Sequence, residues 1–460
     1  MKKEINELIN LLRKNDFQEI LKKKDILHST FPDNEIVFDI LGIALLNTGY
    51  YEDAIKSFKR ALVINPNFIQ SYNNLGNLLD NLERYEEAIE YFTGGLDIDP
   101  YNQLILNNIA QSLSSIGKLT ESVIYYKKVL QLNPNFFQAH NSYGNTLVKL
   151  GLYEEAIIHY KKSLEIEPGY FKAHNNLGVI FSIIGEIDKS IKSYESAIKI
   201  NPNYAPTYWN MHGCCKDMNE AISLLRKCVD LDSNYKKAYL TLAFLEAYLG
   251  NTYTYLEISR SSLKKNPYMR SFEWIFSLPK LPQLFFSRWS FFDEMINLSL
   301  KSRPFYEFGV WMGVSFKYLM KSYKSGYGFD TFRGLTEDWY NEPKGYYSSQ
   351  NEVPNIDGGN FIVGEFKDTL PTFFSKKRPK ASIINFDADL YTSTLCALEN
   401  SLKIVDSKTI LIFDELIVND SWENDEFKAL TEFTNKYNLE YEVIAVSIFT
   451  KQVALRFLDI

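Results

Sequence analysis

The chain has 460 residues, with 50 Lys and Arg set against 57 Asp and Glu, and carries a net charge of −7 at a pI near 5.5. Its length exceeds what one hydrophobic core organises and calls for at least two domains, and its acidic balance offers no general attraction to nucleic acid or anionic lipid. No run is apolar for the length that a membrane-spanning helix requires, and the four cysteines, Cys214, Cys215, Cys228 and Cys396, lack paired metal spacing and suit small buried thiols in a reducing, cytoplasmic setting.

The first segment, MKKEINELINLLRKND, mixes charge and apolar residues at helical spacing and predicts a helix, not a secretory signal. A ladder of prolines comes next, Pro32, Pro66, Pro100, Pro134, Pro168 and Pro202, each 34 residues after the last. Small residues recur 24 positions before successive rungs, as Gly42, Gly76, Ala110, Gly144 and Gly178, and again 12 positions before, as Ala54, Ala88, Ser122, Ala156 and Ser190. Those are places where two helices must approach closely. Segments such as YYEDAIKSFKRALVINP (50–66) have apolar residues at three-and-four spacing, the stripe of an amphipathic second helix. This pattern is identified as the tetratricopeptide repeat, a helix-turn-helix unit that buries its apolar face only against copies of itself. The pattern frays after Pro202, where one repeat has lost three positions, and a last degenerate unit ends near Pro267. Residues 1–267 are therefore expected to form an α-solenoid of about seven repeats preceded by a half repeat. Asn73, Asn107, Asn141 and Asn175 recur at the same period. On a concave face they could hydrogen-bond the backbone of an extended peptide, or they could be solvated polar positions of the repeat.

Residues 268–303 are dense in Phe and Trp and would be an aggregation liability if exposed. They are expected to cap the solenoid and join it to the C-terminal part of the chain. Glu273, Lys280, Arg288, Asp293 and Glu294 interrupt the apolar run and argue against membrane contact. A fragment beginning near 268 is expected to stay soluble, and one cut within 274–290 to aggregate.

From 304 to 460 the period disappears and strand-helix alternation replaces it. Short apolar runs at 304–310, 326–330, 361–364, 381–387, 409–414, 441–446 and 452–457 predict seven strands of an α/β, doubly wound, mostly parallel sheet that ends in a hairpin. Ligands of such sheets bind beyond the carboxyl ends of the strands. There the spacing Glu307-x-Gly309-x-x-x-Gly313 makes a tight strand-to-helix turn with room for a ligand, and Asp330 ends the next strand, where a carboxylate can accept from both hydroxyls of a ribose. The glycine spacing departs from G-x-G-x-x-G, so the cradle for a dinucleotide pyrophosphate is poor. A methyl-donor nucleoside without phosphate suits the turn better, although a Gly here is also compatible with a turn alone. Asp387 and Asp389 close the fourth strand, Asp414 and Glu415 the fifth. Four crowded carboxylates repel one another, and a divalent cation, Mg²⁺ or Ca²⁺ by its oxygen ligands, is the simplest compensation. The alternative is that some of them merely cap the helices after those strands.

The blocks GFDTFRGLTEDW (328–339), VGEFKDTLP (363–371), NFDADLYTSTLCALE (385–399) and W-x-x-x-E-F-K-A-L (422–430) resemble those of class I S-adenosylmethionine-dependent methyltransferases similar to macrocin O-methyltransferase. The resemblance spans nearly all of 304–457 and departs at Met312, Thr336 and Glu415, where Arg, Pro and Asp are usual. It implies a methyl-donor site at Glu307, Gly309, Gly313 and Asp330, a Mg²⁺ held by Asp389, Asp414 and Glu415 with Asp387 beside them, and a sugar-type hydroxyl as acceptor. All five histidines, His28, His140, His159, His174 and His212, lie in the repeats. A base would accordingly be Asp387 or Asp389, or Lys428. The expected function is O-methylation of a sugar or glycan, with the repeats recruiting a protein or glycosylated protein. The alternatives are a scaffold whose second half has lost turnover and a repeat-containing glycosyltransferase, the latter disfavoured by the short second half and the lack of a diphosphate site.

Overall fold

The computed structural model describes every residue except Met1, Tyr340, Asn341, Pro343, Ser421 and Asp459. The chain divides into two compact units, residues 1–168 and 169–460. The sequence division at 267/268 differs from this one, for a reason that lies within the second unit.

In the first unit, three short N-terminal helices precede four helix pairs: Glu35–Asn47 with Tyr51–Ile64, Ile69–Asn81 with Tyr85–Ile98, Gln103–Ser115 with Leu119–Leu132, and Phe137–Lys149 with Tyr153–Ile166. In three of these pairs an aromatic residue of the second helix seats on the glycine of the first. A Cβ added at Gly42 or Gly144 would lie 2.5 Å from the ring of Phe58 or Tyr160, and one at Gly76 would overlap the ring of Phe92; each of those three rings is buried. Ser122 is small for a further reason: its Oγ donates to the Ala110 carbonyl at 2.6 Å, fastening one helix to the next. The Tyr160 ring cannot readily swing aside, because its hydroxyl donates to Asn145 Oδ1 at 2.7 Å. Gly144→Ala is therefore expected to cost about 1–3 kcal/mol through overpacking, read as a lower urea midpoint at unchanged slope. An unaltered midpoint would show that the ring is free to move.

The second unit begins with helix pairs of the same kind, Phe171–Ile183 with Ile187–Ile200, Ala205–His212 with Met218–Leu231, and Lys236–Tyr248 with Tyr253–Ser259. The fraying after Pro202 corresponds to a first helix of 8 residues in place of the 13 of its predecessor. The helix Pro267–Ser277 succeeds these pairs. Then come the strand β1 (Gln283–Phe285), the helix Arg288–Leu298, and the strands β2 (Phe305–Phe308), β3 (Gly326–Asp330), β4 (Gly359–Val363), β5 (Ile383–Phe386), β6 (Ile410–Phe413), β7 (Tyr441–Ser447) and β8 (Gln452–Phe457). They form one sheet of eight strands in the order β1-β7-β8-β6-β5-β2-β3-β4. Strand β8 is antiparallel to both its neighbours, and the other pairings are parallel.

The sheet is thus mixed and one strand larger than the seven expected. The additional strand, β1, comes from the aromatic segment and pairs with β7; three residues of Gln-Leu-Phe carry no alternation from which to read a strand. The same segment explains the position of the division. Ala205, Leu225 and Phe244 of the helix pairs, Met269, Phe272 and Ile275 of the aromatic segment, and Tyr306, Phe386 and Leu411 of the sheet belong to one continuous core. Trp289 Nε1 donates to the Ser182 carbonyl at 2.7 Å, and Phe244 stacks on Phe272 at 4.2 Å. Among the described residues no helix is long and apolar enough to cross a membrane.

Candidate functional site

Parallel register aligns the carboxyl ends of the central strands. Phe308 pairs with Phe329 and Phe386, and Phe386 with Phe413, so the next residue of each strand reaches one level. Backbone bonds continue the ladder there: Gly309 N–H to Phe329 O at 2.9 Å, Asp387 N–H to Phe308 O at 2.8 Å, and Asp414 N–H to Phe386 O at 2.9 Å. Asp330, Gly309, Asp387 and Asp414 consequently form a row across the sheet. Strand β8, running the other way, brings its first residue Gln452 to the same row.

Gly309 has φ +88°. A Cβ on it would overlap the Asp387 carbonyl oxygen. Glycine is therefore required here so that the chain after β2 can pass the backbone that leaves β5 at Asp387, a packing reason for the residue that stands beside the ligand space expected from the sequence. Gly313 has φ +72° and opens the helix Val314–Met320; a Cβ there would meet Pro354 and Ile356 at 3.1 and 3.0 Å. Asp330 accepts from the N–H groups of Val310 and Trp311 with Oδ2 and of Phe332 with Oδ1, each at 2.7 Å. Its carboxylate anchors the turns after β2 and β3, which differs from the free ribose acceptor that the sequence suggested.

Glu307 lies fully buried beneath the turn. Its Oε1 accepts from Ser315 Oγ and, at 3.1 Å, from Asn385 Nδ2. No hydrogen-bond partner reaches its Oε2 among the described residues. Burial pushes its pKa up to about 8, against the pull of Ser315 and Asn385. Asp387 and Asp389 differ from Glu307 in keeping part of their surface at solvent. Burial first, then neighbouring carboxylates (Asp414 for Asp387, Glu415 for Asp389), raise both well above the ordinary range. Asp389 has φ +58°, a left-handed conformation that Asp tolerates better than most residues.

The acids after β6, Asp414 and Glu415, are held by partners the sequence did not suggest. Asp414 Oδ2 pairs with Arg288 at 2.7 Å, and its Oδ1 accepts from Gln452 Nε2 at 2.6 Å. Glu415 Oε1 pairs with Lys451 at 3.1 Å, and its Oε2 accepts from Asn419 Nδ2 at 2.7 Å. Glu426, buried at 1 % exposure, is a further acid of the site; its Oε2 accepts the Glu415 N–H at 3.3 Å, and burial raises its pKa well above normal. It stands in the W-x-x-x-E-F-K-A-L block, where its spacing alone does not set it apart from any other helix acid. Tyr347 also belongs here: its ring meets Trp311 edge-on at 5.4 Å, and burial followed by the charges of Asp389 and Glu415 holds its phenol far above the usual range. Nothing local in the sequence distinguishes Arg288, Lys451 or Tyr347. Lys428 stays half-exposed on its helix, over the Tyr391 ring at 4.4 Å and near Glu432, so it is no candidate base.

All four oxygens of Asp414 and Glu415 are therefore engaged by a cation or an amide, and no group of three acid, His or Cys side chains is arranged to hold a metal among the described residues. As arranged, these side chains do not fit the Mg²⁺ expected from the crowding of carboxylates.

The asparagines of the repeats are structural as well. Asn107, Asn141 and Asn175 are buried. Asn73 accepts from Asn108 of the next repeat at 3.0 Å, and Asn175 accepts from Thr207 and Asn210 at 3.1 and 3.2 Å. At Asn73 and Asn175 the ladder thus spends its side-chain oxygens on the first helix of the following repeat rather than leaving them open to a peptide backbone.

Comparison with known proteins bears on the repeats. Tetratricopeptide-repeat families match at residues 42–82 and 144–182, 69–102 and 105–136, 125–158, and 171–204. No curated protein matches the chain. Solved structures similar to it include the Cut9–Hcn1 hetero-tetramer of the APC/C, at 15% identity and TM-score 0.46 over 53% of this chain and 49% of that one. Others are Pseudomonas aeruginosa pilF, at 15% identity and TM-score 0.39 over 46% and 94%, and YrrB, a tetratricopeptide-repeat protein with an unusual peptide-binding site, at 18% identity and TM-score 0.30 over 40% and 96%. The chain spans about half the length of the Cut9–Hcn1 chain it matches. Within residues 42–204, this protein is built of tetratricopeptide repeats.

Proposed function

We propose that residues 304–460 carry an S-adenosylmethionine-dependent O-methyltransferase and that the repeats bring it to a protein or glycosylated-protein partner. The observation that supports the reading most is the row of strand ends: a buried acid in β2 and a glycine turn after it, two partly buried acids after β5, and an antiparallel β8 inserted between β6 and β7. The charge of the row points the same way. The row is lined by acids, and its two nearby cations, Arg288 and Lys451, are already paired with Asp414 and Glu415, so it offers no cationic cradle for a pyrophosphate. The orphaned Glu307 Oε2 is a buried polar atom that a positively charged amino group, directly or through water, would satisfy.

When bound, S-adenosylmethionine supplies an electrophilic methyl carbon. The protein's part is to orient an acceptor hydroxyl and take its proton. Asp387 and Asp389 suit that task by position, since both stand at the strand ends, partly exposed, and make no side-chain hydrogen bond among the described residues. Aliphatic hydroxyls such as those of sugars need such a base. Repeat solenoids present extended binding surfaces, which is the part this reading gives to residues 1–267.

Isothermal calorimetry tests the reading. S-adenosylmethionine is expected to bind saturably and a nucleotide sugar not at all. Binding of the nucleotide sugar alone would favour the glycosyltransferase, and binding of neither a repeat scaffold without turnover.

A further inference from the structure

Acids crowd the strand ends, and the sequence alone calls for a cation among four of them, Asp387, Asp389, Asp414 and Glu415. The chain supplies its own. Arg288, on the first turn of the helix Arg288–Leu298, reaches Asp414 at 2.7 Å and also acts on the charges of Asp387 and Glu307. Lys451, in the turn between β7 and β8, reaches Glu415 at 3.1 Å, donates to Asn419 Oδ1 at 2.7 Å, and acts on Asp389. Each cation thus serves one half of the cluster. Both are tethered by rigid elements, Arg288 one residue from the buried Ser287 and Trp289, and Lys451 next to the buried Gln452.

We propose that Arg288 and Lys451 are the resident counter-ions of this acidic site and that it operates without a divalent cation. A hard cation needs several carboxylate oxygens at once. To obtain those of Asp414 and Glu415 it would have to displace a guanidinium, an ammonium and two amides, leaving two half-buried cations beside it without their partners and repelling it. The cost also bears on the acceptor. A metal selects a pair of vicinal oxygens by chelation, whereas carboxylates with fixed counter-ions select a single hydroxyl by hydrogen bonding. That consequence for the acceptor rests on the methyltransferase reading; the absence of metal binding does not.

The experiment is a titration of the full-length protein with Mn²⁺, followed by electron paramagnetic resonance of the free ion, so that no donor or acceptor enters. The wild type is expected to show no saturable site tighter than about 1 mM, the weak end of protein cation sites. A saturable site tighter than that overturns the proposal. In the double variant R288Q/K451Q the released carboxylates should gain at least about tenfold in Mn²⁺ affinity, and a folded double variant with no gain also overturns it. Asp414→Asn decides the case should the double variant not fold. It removes the partner of Arg288, so the thermal midpoint should fall, whereas in a cluster of uncompensated acids the loss of one charge would raise it, and a rise counts against the proposal. Millimolar Mg²⁺ should leave the wild-type midpoint unchanged, and a clear upward shift again counts against it.

Discussion

Asp389→Asn is expected to abolish methyl transfer while leaving the protein folded and able to bind S-adenosylmethionine. Among the described residues the Asp389 side chain makes no hydrogen bond that the amide would break, and Asn tolerates the left-handed backbone at φ +58° as readily as Asp does. The substitution therefore removes a proton acceptor and little else. Loss of a positioned general base costs about 10²–10⁴ in rate. Asp387→Asn should show a loss of the same kind if the two carboxylates share the proton, and a much smaller one if Asp389 alone receives it. Single-turnover assays alongside donor calorimetry separate the outcomes. Both variants turning over at wild-type rates would show that neither acid takes the proton.

The second large effect concerns where the chain can be cut. A fragment beginning at 268 is expected to aggregate and one beginning at 169 to remain soluble, which reverses for residue 268 what the sequence period suggests. Cutting at 268 strips Phe244 from the face of Phe272, where the rings stack at 4.2 Å, and removes Tyr248, whose hydroxyl donates to the Pro282 carbonyl at 2.7 Å. It also uncovers Phe449, against which Trp209 and His212 pack at 5.6 and 4.8 Å. Each aromatic ring buries about 150–250 Å², so several uncovered together exceed the patch that a soluble monomer tolerates. The measurement is the sedimentation profile of the two fragments at equal concentration. A monodisperse 268–460 would mean that the helices before Pro267 are dispensable for the sheet.

Period and strand ends were legible in the sequence because each is a local property. A 34-residue spacing of Pro and small residues records the geometry of one helix pair, and that geometry is the same wherever the pair sits. Apolar runs that end in Asp330, Asp387 and Asp414 likewise record that a strand stops where polar groups must begin, and the structure places those residues side by side in one row. What they do there was a different matter. Gly309 looked like space for a ligand and gives clearance for the Asp387 carbonyl; Asp330 looked like a free acceptor and holds three backbone N–H groups; the asparagines suited either a binding row or solvated positions, and Asn73 and Asn175 instead bond to the next first helix. In each case the residue type was right for two roles, and only the identity of the neighbour separates them. Charge compensation shows the limit most plainly. The carboxylates are adjacent in sequence or one strand apart, whereas Arg288 lies 126 residues before Asp414 and Lys451 36 residues after Glu415. Which cation neutralises which acid depends on the sheet order that brings β8 beside β6 and the Arg288 helix near its end. The chain therefore determined by itself that it would stack repeats and end in a strand-helix domain with an acidic rim, because those features arise from local spacing and burial. The tertiary structure alone decided that Asp414 and Glu415 of that rim would be paired with the protein's own cations, because ion pairing is a matter of distances of about 3 Å that no spacing along the chain encodes.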